Sequence, residues 1–230
     1  MRIETIPLSV ILIITFSAVG FSQTISKPNY ALKSHETLEI LKIELTQEKT
    51  LLYLSIENRI DGGSFCADRN IYLLDEEGKK YELKRSSGIP VCPATFKFKS
   101  IGEKLQFTLE FPTLKAGTKW IDAIEDCTSN CFSFYGIALD TDLNKKLDEG
   151  FAFAERGENI QAISIFREIL NNSGNRKNGI DGALYTEIIT MEYKSGNLAS
   201  AGEWYKRMLS SSSPRLELYI KNLNSRGIKF

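Results

Sequence analysis

From Thr37 to Leu139 apolar and polar side chains alternate in short runs. Leu52, Leu54 and Ile56 form one such set, and Leu105, Phe107, Leu109 and Phe111 form another. Side chains two apart share one face of an extended strand, so each set predicts a half-buried β-strand. Shorter strands are expected at Leu38–Leu45, Ile71–Leu74, Lys80–Lys84, Thr95–Lys99 and Phe132–Leu139. Turn-forming residues punctuate them: Asp61-Gly62-Gly63, Glu77-Gly78, Ser87-Gly88, Ile101-Gly102 and Ala116-Gly117. About seven strands so closely spaced predict an antiparallel sandwich of immunoglobulin-like type. Only Trp120–Glu125 suggests a helical turn.

After Asp140 the alternation stops, and Ala, Glu, Lys and Leu recur at helical spacing. Arg156–Leu170 aligns with Ser195–Leu209 at an offset of 39, which superposes Gly157 on Gly196, Ala162 on Ala201, Phe166 on Tyr205 and Leu170 on Leu209. Each unit therefore reads as a helix, a glycine turn and a second helix. Asn171–Gly182 is rich in turn formers and reads as a loop. Ser213 and Pro214 suit the cap and first turn of a last helix. Its stripe of Leu216, Tyr219, Ile220 and Leu223 would close the open end of the stack. The expected fold class is α+β in two domains: a β-sandwich over 37–140 after an extension at 23–36, then helical hairpins with a capping helix over 141–230. No Pro/Gly/Ser linker separates Leu139 from Leu143, which predicts a close joint.

Gly150, Phe153, Gly157, Ala162, Phe166 and Leu170 in the first unit, with Gly196, Ala201, Tyr205 and Leu209 in the second, resemble the tetratricopeptide repeat. Small residues at Gly150 and Ala162 let two helices cross closely, and Phe153 and Phe166 fill the space beside the crossing. Ile189 departs from the pattern, where the family has a small residue. The family's period of about 34 residues places roughly five extra ones in the loop. The resemblance implies a protein or peptide partner held on the inner face of each first helix. That face carries Asn144, Phe151 and Glu155 in one unit, and Thr186, Thr190, Tyr193 and Lys194 in the other. The alternative is that these residues pack against the sandwich or the capping helix, because two repeats are fewer than such stacks need to stand alone. The β half resembles an accessory domain of secreted Bacteroidetes-type proteins, through Gly78-Lys79-Lys80-Tyr81, Gly88-Ile89-Pro90, Phe107-Thr108-Leu109-Glu110-Phe111 and Phe134-Tyr135-Gly136-Ile137. That resemblance implies export and no activity.

The start of the chain changes the compartment. Met1–Gln23 has a polar start with Arg2, an apolar stretch from Ile6 to Phe21, and small residues at Gly20 and Ser22. This is the layout of a signal peptide cut after Ser22. As a retained helix, its apolar stretch would reach about 24 Å, short of a hydrocarbon core of about 30 Å. The rest is long enough for two domains with separate cores. An exported protein with Cys66, Cys92, Cys127 and Cys131 is expected to form two disulfides. Three connectivities are open; a local Cys127–Cys131 bridge is the simplest, leaving Cys66 with Cys92. Neither a redox motif nor a four-cysteine zinc site has this spacing.

Twenty-nine basic residues balance 29 acidic ones, which argues against a nucleic-acid partner. The lone histidine, His35, reads as an exposed linker residue and thins out histidine-dependent catalysis. Asp140, Asp142 and Asn144 imitate the start of a calcium loop, but Lys145 and Phe151 stand where glycine and a carboxylate belong. Asp140 or Asp142 is the more plausible cap of the next helix. Asp75-Glu76-Glu77 reads as a solvated hairpin turn. Trp120, Tyr53, Tyr72, Tyr81 and Tyr135 offer faces on which a glycan would stack. The reading is an exported, non-catalytic binding or scaffold protein without metal or cofactor. A carbohydrate-binding sandwich and an accessory hydrolase working through carboxylates are the alternatives.

Overall fold

A computed structural model describes residues 22–172 and 177–230. The expected leader, apart from Ser22, and part of the expected loop after Asn171 lie outside the described residues. The first half forms β1 (Gln23–Ser26), β2 (Leu32–Lys33), β3 (Leu38–Leu45), β4 (Lys49–Glu57), β5 (Ser64–Phe65) and β6 (Ile71–Asp75). These are followed by β7 (Lys80–Glu82), β8 (Arg85–Ser87), β9 (Phe96–Lys97), β10 (Lys104–Pro112), β11 (Trp120–Glu125) and β12 (Ser133–Ala138). One five-stranded sheet has the order β1-β3-β4-β10-β8, the other β2-β12-β11-β6-β7, and β5 pairs with β9. Every strand pair is antiparallel.

The alternating residues do what their parity predicts. Leu52, Leu54 and Ile56 on β4 and Leu105, Phe107, Leu109 and Phe111 on β10 are buried, and they share one core with Leu73, Ile121, Ala123, Phe134 and Ile137 of the second sheet. The arrangement is sandwich-like. Trp120–Glu125 is not a helical turn: it is β11, hydrogen-bonded to β6 on one side and β12 on the other. Asp122 and Glu125 are buried along with Ile121 and Ala123, so polar residues on both faces hide the alternation. The stretch 23–36 is woven into the sheets, β1 edging one and β2 the other.

Two disulfides close the loops at the end of the sandwich away from the helices, Cys66–Cys92 and Cys127–Cys131. Glu125 ties these loops together, its carboxylate accepting from the backbone amides of Asp68 (2.7 Å) and Phe132 (3.0 Å). The disulfides fit an exported protein. No helix among the described residues is long and apolar enough to cross a membrane.

The second half is helical: α1 (Thr141–Glu155), α2 (Asn159–Asn171), α3 (Ile180–Lys194), α4 (Leu198–Leu209) and α5 (Leu216–Ser225). Asp140 caps α1, its carboxylate accepting from the amides of Asp142 and Leu143. A Cβ on Gly150 would lie 2.4 Å from the Phe166 ring, so only glycine lets α1 and α2 approach this closely. Gly182 on α3 stands in the same relation to Tyr219 on α5, also at 2.4 Å. Two expectations need correction. The loop after Asn171 ends at Gly179 and not Gly182, because Asn178 accepts from the Ile180 amide and starts α3 there. Ser213 does not cap the last helix; its hydroxyl has no partner, and Arg215 in left-handed backbone (φ 60°) precedes α5.

The joint between sheets and helices is tight. Ala31 and Ala138 contribute to the core of Leu147, Ala162, Phe166, Ile169 and Leu184. The Arg215 guanidinium donates to buried Asp122 of β11 (2.7 Å) while lying 3.8 Å from the centroid of Tyr135. Burial lifts the Asp122 carboxyl above its ordinary range, against the Gly136 amide and Arg215, which pull it down.

Candidate functional site

Helix α1 buries Asn144, Leu147 and Gly150. Asp148 stands three and four residues before Phe151 and Ala152, and Glu155 stands four and three after them, so the four share another face. That face walls a groove of about 680 Å³. The opposite wall is the strap Lys27–Tyr30, which carries the chain from the first sheet to the second, and the segment Glu39–Leu41 of β3. Pro28 and Ile40 are buried, while Tyr30, Leu41, Phe151 and Ala152 are half-buried. The Phe151 ring leans on Phe166 at 5.1 Å between centroids, and Tyr30 meets Phe134 edge-on at 5.2 Å.

Of the four charged side chains that line the groove, Glu39, Asp148 and Glu155 are acidic and Lys27 is basic. Asp148 accepts from the Asn29 side chain (2.8 Å), and Glu155 is exposed at the C-terminal end of α1. Glu39 pairs with Lys33 and accepts from the Tyr30 hydroxyl (3.4 Å). Burial, helped by Glu39, raises the Tyr30 phenol above its ordinary value despite the opposing Lys33 charge. The strap is fixed by Asn144, whose Oδ1 accepts from the Asn29 amide (2.7 Å) and whose Nδ2 donates to the Ala138 carbonyl (2.8 Å).

Of the residues expected on the inner helical face, the groove brings together Phe151 and Glu155. Asn144 is buried in the joint just described. Thr186 and Thr190 are buried and donate to the carbonyls four residues back, at 2.9 and 2.8 Å. Thr190 also accepts from Arg226 (3.2 Å), beyond α5. The Tyr193 ring meets Phe230 edge-on, and Lys194 is exposed. The C-terminal segment thus lies over this part of α3.

Other candidates change character on folding. Asp75 is buried, not solvated: it accepts from the Tyr81 hydroxyl (3.0 Å) and from the amides of Glu77 and Lys79. His35 is half-buried against Phe65 rather than exposed, and burial lowers its pKa. Among the proposed stacking faces, Tyr81 is in the core. Lys42 lies over Tyr53 (4.2 Å), Lys80 over Tyr72 (4.0 Å) and Arg215 over Tyr135 (3.8 Å). Trp120 is half-buried. Asp140 spends its carboxylate on the α1 cap, and Asn144 is turned to the joint. Among the described residues no three of His, Cys, Asp and Glu are grouped to hold a metal ion.

The strap and the Asp122–Arg215 latch escaped sequence reasoning. An aspartate between Ile121 and Ala123 is the one local sign of the latch. No protein family, curated protein or solved structure matches the chain.

Proposed function

We propose that the chain is an exported, non-catalytic binding protein, whose immunoglobulin-like sandwich and tetratricopeptide-like helices form two domains joined rigidly enough to shape one site between them. The observation that carries this reading is the groove of about 680 Å³ between the strap, β3 and the exposed face of α1. It is concave, apolar at its base and polar at its rim, the arrangement of sites that hold a ligand by burial and orient it by a few polar groups. Phe151 and Glu155, two of the seven residues that the repeat resemblance implies for the inner face, line this groove and support the reading. Two disulfides support export, and the partner is read as another protein or a peptide.

The test places a photo-reactive phenylalanine analogue at position 151 of the full chain, with a control at Ile160, which is 84% exposed on α2. Irradiation in the native envelope is expected to yield a discrete protein adduct from position 151 and none from 160. Equal products from both positions, or none from 151, would remove the groove from the function.

A further inference from the structure

Strand β1 covers the outer edge of β3 from Lys42 to Leu45, and the chain then leaves the sheet at Lys27. Beside Leu38–Leu41 no further strand stands among the described residues. A bare strand edge is a template for another extended chain. Here it is blunted at its two ends, by the Lys27 amide donating to the Leu41 carbonyl (2.9 Å) and by Lys33 Nζ donating to the Leu38 carbonyl (3.2 Å).

Lys33 shows what chemistry this edge accepts. Its ammonium lies 5.7 Å from the Tyr30 centroid, bonds the strand-edge carbonyl and pairs with Glu39. An aromatic face, a backbone carbonyl and a carboxylate together hold a cation. The same kinds of group recur farther along the groove, where Phe151 lies between Asp148 and Glu155 on α1. Lys27 is the cation facing them from the other wall, because Lys33 is already neutralised by Glu39. The rim therefore has a surplus of negative charge in a chain whose net charge is zero.

Dimensions agree with an extended occupant. Asp148 to Glu155 spans about 10 Å at roughly 1.5 Å per helical residue. Alternate side chains of an extended peptide share one face and recur about every 7 Å, and the long stems of two successive cations make up the difference to both carboxylates.

We propose that the groove holds a short extended segment of another protein with lysine or arginine alternating with apolar residues. It lies along Glu39–Leu41, its cations reaching Asp148 and Glu155 and its apolar side chains turned to the half-buried Phe151 and Leu41. This rests on reading the groove as the binding site, and it adds the chemistry of the occupant.

The probe is an end-capped peptide alternating arginine and valine, titrated by calorimetry into the full chain, with its glutamate–valine counterpart as control. The basic peptide binds and the acidic one does not. Glu155→Lys weakens binding by about tenfold or more; Glu155 is exposed, and a cation near a helix C-terminus is favourable, so the fold is unharmed. Affinity also falls as salt shortens the Debye length from about 30 Å to about 3 Å. Equal binding of the acidic peptide, or an unchanged affinity in Glu155→Lys, overturns the proposal. A position-151 adduct that persists in Glu155→Lys, with no basic-peptide binding, overturns the basic occupant while the binding role stands. No adduct and no peptide binding overturn both.

Discussion

The two helical hairpins have the same pattern of small, aromatic and turn residues, yet they end in opposite situations. In the first, Phe166 is buried and Phe151 remains at the floor of an open groove. In the second, the corresponding Tyr205 is half-buried and stacks on Phe230 (4.8 Å), Leu209 is 44% exposed, and Met208 takes the core position. What separates them is what arrives later in the chain. The segment after Leu209 folds back on α3 and covers its inner face with Tyr219, Leu223 and Ile228, whereas the corresponding face of α1 stays open towards the narrow strap and β3. A repeat pattern fixes how two helices cross; it does not fix which face stays open.

The largest effect that would test this contrast is at Tyr219. Its ring is 2% exposed against Gly182, and its hydroxyl donates to the Gly179 carbonyl (2.6 Å). Tyr219→Ala is expected to cost about 3–5 kcal/mol, measured by urea denaturation, whereas Phe151→Ala, which removes a half-buried ring, should cost clearly less. Equal losses would mean that the first hairpin is as fully covered as the second.

Arg215→Ala tests the latch that holds the covering segment to the sheet. Breaking a fully buried ion pair costs about 3–5 kcal/mol because the other charge is left in the interior; the Arg215 side chain is 28% exposed, so the loss is expected below that range and below that of Tyr219→Ala. The loss should depend on pH. The Asp122 carboxyl is raised by burial in the folded chain, so between its unfolded and folded pKa values the folded state holds more protons, and stability falls as pH rises through that window. Without Arg215 the folded pKa rises further. The deficit of the variant is therefore greatest near neutrality and narrows on acidification. A deficit that widens towards acid would show that Asp122 is ionised for another reason.

The long elements were legible because their periodicity is direct. Nine-residue strands such as β4 and β10 repeat their parity often enough to be read, and the helices reveal themselves by matching at an offset of 39. Strands of two to four residues such as β1 and β2 carry no period, so the strap they bracket reads only as an extension before the sandwich. The pattern at β11 misleads because Asp122 satisfies its charge with Arg215, 93 positions away, and no local pattern encodes that. The groove was half legible. Phe151 and Glu155 follow from helical geometry, but their opposite wall comes from residues 27–41, which only the crossing between the sheets brings there.

The smallest effect concerns what the hairpins share. Gly157 and Gly196 end α1 and α3 in left-handed backbone, at φ 76° and 82°, and no heavy atom lies within 4 Å of a Cβ built on either. Alanine at each position therefore meets no steric block and suffers only the conformational cost, about 1–2 kcal/mol. Similar losses of stability in Gly157→Ala and Gly196→Ala would place the difference between the hairpins wholly in what covers them. If Gly196→Ala alone were severe, the turn would also be anchoring the C-terminal segment, and the asymmetry would begin in the repeat itself.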